Sequence, residues 1–393
     1  MTTDLAHQRA DAARAFRQRL GGAPALAAYA PGRVNLIGDH TDYTGGLVLP
    51  MSIHRGTHAL VAPRSDGTVR VVAEGFGEAS WRIGEPVDAA RSLWERYVLG
   101  AAREVADRAP EASGGAAPGA DLYVTGDVPV GAGLSSSASL TVAVALALAE
   151  AWGAELGETE AALLAQRVEH VDAGVNCGIM DQVAVRSGRA GHAVLLDCRS
   201  LEHRAVGVAP GVAVVIVNSG VGRSLAGSAY NERRAAVERA AELLGVGSLR
   251  DVTPEALDPG ALGDLLPFAR HVVTENARVR EAEDALTNDP ETMGRLMAAS
   301  HASLRDDYRV SGPELDALVE IATGAGALGA RLTGAGFGGC TVNLVPRERL
   351  DGFAEAVREG YRGRTGREAE VFVVEENREV GVARLPSEAS GAS

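Results

Sequence analysis

Apolar positions along the chain change period several times, and these changes divide it into elements. Over residues 3–20 they recur at helical spacing and stop at Gly21-Gly22, which predicts an amphipathic helix. From about residue 27 to 83 the pattern is β-rich, broken by turn signals at Thr44-Gly45-Gly46 and Ser65-Asp66-Gly67. A helix is predicted near residues 92–106, and a loose loop of Gly, Ala and Pro over 111–119. A strand follows at 121–125, then a glycine–serine turn that opens an apolar helix after Ser137. A further helix is predicted at about 159–171. The run Val212–Asn218 (VAVVIVN) is short, β-branched and without polar alternation, the pattern of a strand buried on both faces. Beyond it, helices are predicted near 228–244, 269–286, 290–304 and 314–323. Strands are predicted near 331–332, 341–344, 370–375 and 381–385.

Strands and helices that mix without regular β-α-β alternation point to an α+β fold. The 393 residues suggest two domains. The boundary is placed just before Val212, giving units of 1–208 and 209–393. Aromatic residues are only 4% of the chain, so Val, Leu and Ala must fill most of the interior. The tail 386–393 is expected to be disordered, and no internal repeat is visible.

Charge and composition narrow the function. A net charge of −14 argues against duplex nucleic acid as a partner, because that affinity comes from neutralising phosphates. Every basic residue is Arg; there is no lysine. Codon bias is the simpler reason, but the chemical consequence stands: a Schiff-base lysine and the phosphate-gripping lysine of a P-loop or protein kinase are both excluded. Cys177, Cys198 and Cys340 lack metal-type spacing, and a low odd count suits a reducing compartment. The N-terminus is polar rather than a signal peptide. The longest apolar run, residues 138–149, is too short to span a bilayer. The expectation is a cytoplasmic protein without nucleic-acid or membrane partners, monomeric or weakly self-associating.

Three constellations carry candidate chemistry. Residues 127–139 (DVPVGAGLSSSAS) lie between a predicted strand and a predicted helix. Gly131 and Gly133 let backbone approach a polyanion, the helix start offers free N–H groups, and Ser135, Ser136 and Ser137 can donate to phosphate or ligate Mg²⁺. An ordinary Gly/Ser turn capped by serine is the structural alternative. It is not a Walker A loop, since no Lys follows the glycines. Residues 332–340 (LTGAGFGGC) form a second glycine-rich loop in the other half; two such loops fit a ligand held between domains. Residues 32–43 (GRVNLIGDHTDY) bring Asp39, His40 and Asp42 within four positions, groups suited to sugar hydroxyls. A metal site there is disfavoured, because no partner cluster exists elsewhere.

Taken together, these segments resemble the galactokinases of the GHMP small-molecule kinase family. The stretch from Ala30-Pro31-Gly32-Arg33 to Val48-Leu49-Pro50 is close to the galactokinase signature. Residues 129–139 resemble the family's phosphate loop, and 332–340 its third motif. Residues 176–182 (NCGIMDQ) resemble the segment with the catalytic aspartate; 224–234, 271–277 and 303–308 also look like galactokinase segments. The resemblance runs in order from about residue 27 to 345. It implies a ribosomal-S5-like N-terminal domain and a ferredoxin-like C-terminal domain with the active site between them. It also implies ATP and Mg²⁺ as the phosphoryl-donor system and galactose or a close analogue as acceptor.

By this resemblance Asp181 is the catalytic aspartate facing the sugar O1 hydroxyl, with Arg33 beside it. Asp39, His40, Asp42, Gly178 and Tyr230 are sugar-binding positions. Gly131, Gly133, Leu134, Ser135, Ser136, Ser137 and Ala138 hold the nucleotide phosphates. Ser137 and Glu169 lie on the Mg²⁺ side, and Trp94 and Tyr97 stand near adenine, although both also read as core anchors. Asp39 departs from the family's usual glutamate. Its carboxylate is one methylene shorter, a loss of about 1.5 Å in reach, so it must act through a shifted loop or a water, or the favoured sugar differs at its distal end. Competing expectations are a kinase for a modified or N-acetylated galactose, a catalytically inactive sugar sensor, and a nucleotide-binding structural protein. The intact serine run with Asp181 speaks against the sensor, and the 33–43 cluster against the last.

Overall fold

The computed structural model describes residues 5–109, 118–222, 226–374 and 380–385. Most of the loop expected at 111–119, the whole tail 386–393, Ser224 and Glu375 lie outside these. The strands, in chain order, are β1 (Leu26–Asn35), β2 (Leu47–Val48), β3 (Pro50–Arg64), β4 (Thr68–Ala73), β5 (Gly77–Arg82), β6 (Gly119–Gly126), β7 (His192–Asp197), β8 (His203–Gly207), β9 (Val212–Asn218), β10 (Gly329–Leu332), β11 (Cys340–Pro346), β12 (Glu370–Val374) and β13 (Gly381–Arg384). The helices are α1 (Leu5–Leu20), α2 (Leu93–Ala106), α3 (Ser136–Trp152), α4 (Glu158–Val168), α5 (Met180–Ser187), α6 (Ala226–Leu243), the single turn α7 (Pro259–Leu262), α8 (Leu266–Asn288), α9 (Pro290–Asp306), α10 (Pro313–Gly324) and α11 (Leu350–Thr365).

The first half is built on a six-stranded sheet, ordered β13-β1-β3-β6-β4-β5, in which only β4 and β6 run parallel. The second half carries an antiparallel sheet ordered β10-β11-β9-β12, and β2-β7-β8 form a third sheet. As its unbroken apolar pattern predicted, β9 lies between two neighbours with six of its seven residues buried. The mixed architecture is the α+β class expected.

Helix α3 shows how composition sets packing. It is apolar on every side, so it is buried on every side, between the first sheet and helices α2 and α4. Its many alanines allow close approach, and Gly153 closes it in the left-handed conformation. A second apolar cluster joins Val34, Leu49 and Leu134 of the first half to Val214, Val279 and Phe372 of the second, which fixes the two halves against each other.

Several differences from the sequence reading are informative. The strand expected at 381–385 forms, but it pairs with β1, Leu26 opposite Arg384, rather than with strands of the second half. The helix expected over 159–171 ends at Val168 and continues as a wider π turn, Glu169–Ala173. Helices α5 and α11 and strands β7 and β8 were not expected. In α11, Phe353, Val357 and Tyr361 recur every four residues and are buried, but Gly352, Gly360 and Gly363 dilute the pattern.

Candidate active site

Strand β1 is irregular where it meets the phosphate-loop segment. Its register against β3 shifts between Pro31 and Arg33, with the extra residues on the β3 side. Gly32 sits at this point, and a Cβ there would lie 2.7 Å from the Leu134 carbonyl oxygen. Glycine therefore allows the contact that follows, Arg33 N–H donating to Leu134 O at 3.0 Å.

The Arg33 side chain, almost fully buried, joins two motifs that are far apart in sequence. Its Nη1 donates to Gly133 O (2.6 Å), and its Nε donates to Asp181 Oδ1 (2.9 Å), with Nη2 on the same oxygen. The other Asp181 oxygen, Oδ2, accepts from Ser135 Oγ at 2.5 Å. Asp181 lies in the first turn of α5 and keeps 25% of its side chain open, lining a cavity of about 440 Å³.

Around that cavity the structure gathers Arg33, Asp39, His40, Asp42, Tyr230, Glu169 and the glycine–serine loop. Asp42 opens a short 3₁₀ turn, Asp42–Thr44. Burial, then the nearby charge of Asp181, pushes its carboxyl up to about 7. Gly178 is packed against Asp42 so closely that a Cβ would lie within 2.8 Å of Asp42 Cβ and nearer still to the carboxylate. His40 adopts a positive φ of 65°. Its Nε2–H donates to Ala335 O (3.2 Å) and its Nδ1 meets Tyr43 OH (3.0 Å), which is itself 2.6 Å from Tyr308 OH. With a neutral ring this directs a chain from Tyr308 to Tyr43 to His40. Tyr230, on α6, packs 5.6 Å from the His40 ring.

Asp39 is fully buried and ion-paired with Arg331, which is buried completely. Asp39 Oδ1 also accepts from Gly334 N at 3.1 Å. The loop is held from behind: His271 Nε2 donates to Asp39 O (3.0 Å), and Glu275 Oε1 accepts from Gly38 N (2.9 Å) and Ser300 Oγ (2.6 Å). Burial pushes Glu275 up, but the charges of Arg278, His271 and Arg331 outweigh it and hold the group at about 2. Sequence reasoning gave Arg331, His271 and Glu275 no role. The signals within reach are the family-like segment 271–277, which holds His271 and Glu275, and the place of Arg331 directly before the 332–340 loop.

A second cavity of about 470 Å³ adjoins the first, sharing Leu93, Tyr97, Gly131, Ser136 and Ser137. It is mostly apolar, walled by Trp94, Tyr97, Phe76 and Val130. Tyr97 is also a core residue, so it both anchors the interior and faces this cavity. Leu134 and Ala138 turn their side chains into the core and offer a ligand only backbone.

The fit to Mg²⁺ can be judged from Glu169. It is 5% exposed, at the start of the π turn, and its Oε1 accepts from Ser137 Oγ (3.0 Å) and Gln182 Nε2 (3.1 Å). Burial, then the charge of Asp181, pushes it up to about 7. A buried carboxylate beside a second carboxylate, with a hydroxyl attached, suits a hard cation. Among the described residues no three His, Cys, Asp or Glu side chains converge as a metal cage. Mg²⁺ is commonly bound by one or two carboxylates with substrate phosphates rather than by an all-protein cage. Among the described residues lining the two cavities, Arg33 is the one guanidinium, against Asp39, Asp42, Glu169 and Asp181 in the first.

A glycine–serine loop at a helix start, an apolar slot on one side and a carboxylate cluster on the other define a small-molecule phosphotransferase. Comparison with known proteins agrees. The GHMP kinases N terminal domain matches residues 96–189, the GHMP kinases C terminal domain 282–363, and the galactokinase galactose-binding signature 14–63. A galactokinase of Chloroflexus aurantiacus is 46% identical over 372 residues, 91% of this chain and 94% of that one. One from Actinobacillus succinogenes is 42% identical over 93% of this chain and 97% of its own. The crystal structure of Lactococcus lactis galactokinase complexed with galactose superposes with a TM-score of 0.88 at 35% identity, covering 95% of this chain and 99% of that one. A mevalonate kinase shares the fold, with a TM-score of 0.63 at 19% identity. The chain belongs to the galactokinase family of the GHMP kinases.

Proposed function

We propose that the chain transfers the γ-phosphoryl group of ATP to the anomeric hydroxyl of galactose, giving α-D-galactose 1-phosphate and ADP. The observation that carries this reading is Asp181, fixed by Arg33 and Ser135 where the sugar-loop carboxylates meet the glycine–serine loop. The O1–phosphorus bond forms as the bond from the γ-phosphorus to the β,γ-bridging oxygen breaks, and that electron pair leaves with ADP. The O1 proton passes to Asp181 and then to solvent. Because such transfers have a loose transition state, positioning and charge stabilisation supply most of the catalysis. Asp181 orients O1 and takes its proton as bond formation acidifies it. Arg33 commits three of its five side-chain N–H groups to Asp181 and Gly133, leaving two for a phosphoryl oxygen.

Asp39, Asp42 and Tyr230 recognise the sugar, with Gly178 and His40 shaping its site. Backbone N–H groups of residues 131–138 cradle the phosphates, and the slot at Trp94 and Tyr97 takes adenine. Ser137 and Glu169 would hold Mg²⁺, which when bound neutralises charge on the β- and γ-phosphates. We take 1–208 and 209–393 as the two domains, supported by a main sheet in each half, although β13 of the second crosses over to join the first. The three free cysteines support a cytoplasmic enzyme.

The test is ADP release across about ten sugars, in the parent and in Asp181→Asn. Galactose should be the best acceptor, and Asp181→Asn should lower kcat by about 10²-fold or more with the fold kept. A different best sugar overturns the substrate; an Asp181→Asn variant within a few-fold of the parent overturns the catalytic assignment.

A further inference from the structure

Ser135 stands at the N-cap of α3, the position where serine normally turns its hydroxyl back onto the free N–H groups of the first turn. It makes no such bond. Its backbone is in the left-handed region (φ 58°, ψ 47°), which a residue with a Cβ rarely adopts. Both departures have one visible result: Ser135 Oγ reaches Asp181 Oδ2 at 2.5 Å. Ser135 is itself buried, at 7% exposure.

The bond closes a ring. Arg33 binds Asp181 Oδ1 and the carbonyls of Gly133 and Leu134; the next residue, Ser135, binds Asp181 Oδ2. Each Asp181 oxygen is thus fixed by a group tied to the loop that faces the nucleotide. The ring leaves the side-chain capping site at the start of α3 unused, so its N–H groups stay available to an anion.

We propose that Ser135 is a positioning residue for Asp181, one that ties the orientation of the sugar-facing carboxylate to the conformation of the phosphate loop. This rests on the assignment of Asp181 made above. It gives the Ser135 hydroxyl a different task from those of its neighbours Ser136 and Ser137: it serves the acceptor side of the reaction. A carboxylate turned about its Cβ–Cγ bond no longer meets O1 along a hydrogen-bonding direction, and small misplacements of this kind cost up to about 10²-fold in rate.

The experiment compares the parent with Ser135→Gly, which is at ease in the left-handed conformation, and Ser135→Ala, which keeps the Cβ. Steady-state kinetics are measured for galactose and ATP, and ADP affinity by calorimetry. Both variants should lose about 10- to 100-fold in kcat, while ADP Kd and the KM for ATP stay within about threefold. The same Ser135→Gly change made in Asp181→Asn should cost less than about threefold, because the group it positions has already lost its charge. A weakened ADP Kd with kcat retained would overturn the proposal and assign the hydroxyl to the phosphates. So would an equal cost in both backgrounds, or no loss of kcat. Full activity in Asp181→Asn alone would instead remove the catalytic assignment, and this proposal with it.

Discussion

Gly178 offers a clean perturbation of sugar recognition. It precedes α5, and its φ is not in the left-handed region, so the backbone itself accepts alanine. What opposes alanine is Asp42. Its Cβ would lie 2.8 Å from the new Cβ, whereas ordinary contact begins at 3.4 Å. The difference, 3.4 minus 2.8, is 0.6 Å at the Asp42 Cβ, and the carboxylate, which is closer still, must move by more. Asp42 Cβ cannot retreat without its backbone, which is held in the 3₁₀ turn by Gly45 N–H donating to Asp42 O at 3.1 Å.

A direct O–H···O hydrogen bond has a distance window of about 0.5 Å. A carboxylate displaced beyond it loses its bond to a sugar hydroxyl and leaves that group unpaired, a cost of about 1–3 kcal/mol. Converted to rate, this is about a 5- to 150-fold fall in kcat/KM for galactose. The loss should sit mainly in the galactose KM, with the KM for ATP unchanged, because the phosphate loop is untouched. The assay is initial-rate kinetics over both substrates, with a thermal melt as a check on folding. A Gly178→Ala enzyme with parental galactose KM would refute the reasoning and show that Asp42 does not hold the sugar. Equal losses toward both substrates would show a general collapse of the site.

Two further outcomes are expected. If Asp39, held by Arg331 and the Gly334 N–H, meets the sugar's distal end less directly than a glutamate would, as the proposed site has it, 6-deoxygalactose should be used within about tenfold of galactose while glucose is rejected by about 10² or more, and Asp39→Glu should change that ratio. A parent that rejects 6-deoxygalactose as firmly as glucose sinks the idea. Glu169 is raised from 4.5 to about 7 chiefly by burial, so the folded protein ionises it more reluctantly than the unfolded chain does. That costs stability, up to about 3 kcal/mol, fully above pH 7 and progressively less as pH falls toward 4.5; Glu169→Gln should raise the ligand-free Tm by about 2–5 °C at pH 8, less at pH 5, and raise the Mg²⁺ requirement. A Tm gain independent of pH would contradict this.

What the sequence showed and what it hid follow a physical line. Helix α3 and strand β9 were legible because an element buried on all sides needs no particular period, only an apolar run of the right length. Strand β13 was legible as a strand, but its pairing with β1 joins positions more than 350 residues apart, and no local pattern encodes a partner. Helix α11 was missed because three buried residues among glycines and charges make a thin stripe. The site divides in the same way. Asp181, Asp42 and the serine run sit in compact motifs that carry the family resemblance. The left-handed backbone that turns Ser135 toward Asp181 has no signature in a run of three serines.

Asp39 and Arg331 show why the hidden part matters most for specificity. From the sequence, a glutamate shortened to aspartate reads as lost reach toward the sugar. In the structure the carboxylate also has a full-time partner. Burying both charges carries a desolvation penalty that their attraction offsets only with good geometry and further hydrogen bonds. Arg331 Nη1 donates to Asn35 O, and Asp39 accepts from Gly334 N, so the geometry is supplied. A pair on these terms adds little net stability over an apolar filling, but it sets position. It fastens the loop that carries Asp42 to the glycine-rich loop of the other half. The shorter side chain and the buried arginine therefore belong to one arrangement; on the sugar-binding roles proposed above, it loosens the grip of Asp39 and leaves more of the discrimination to Asp42.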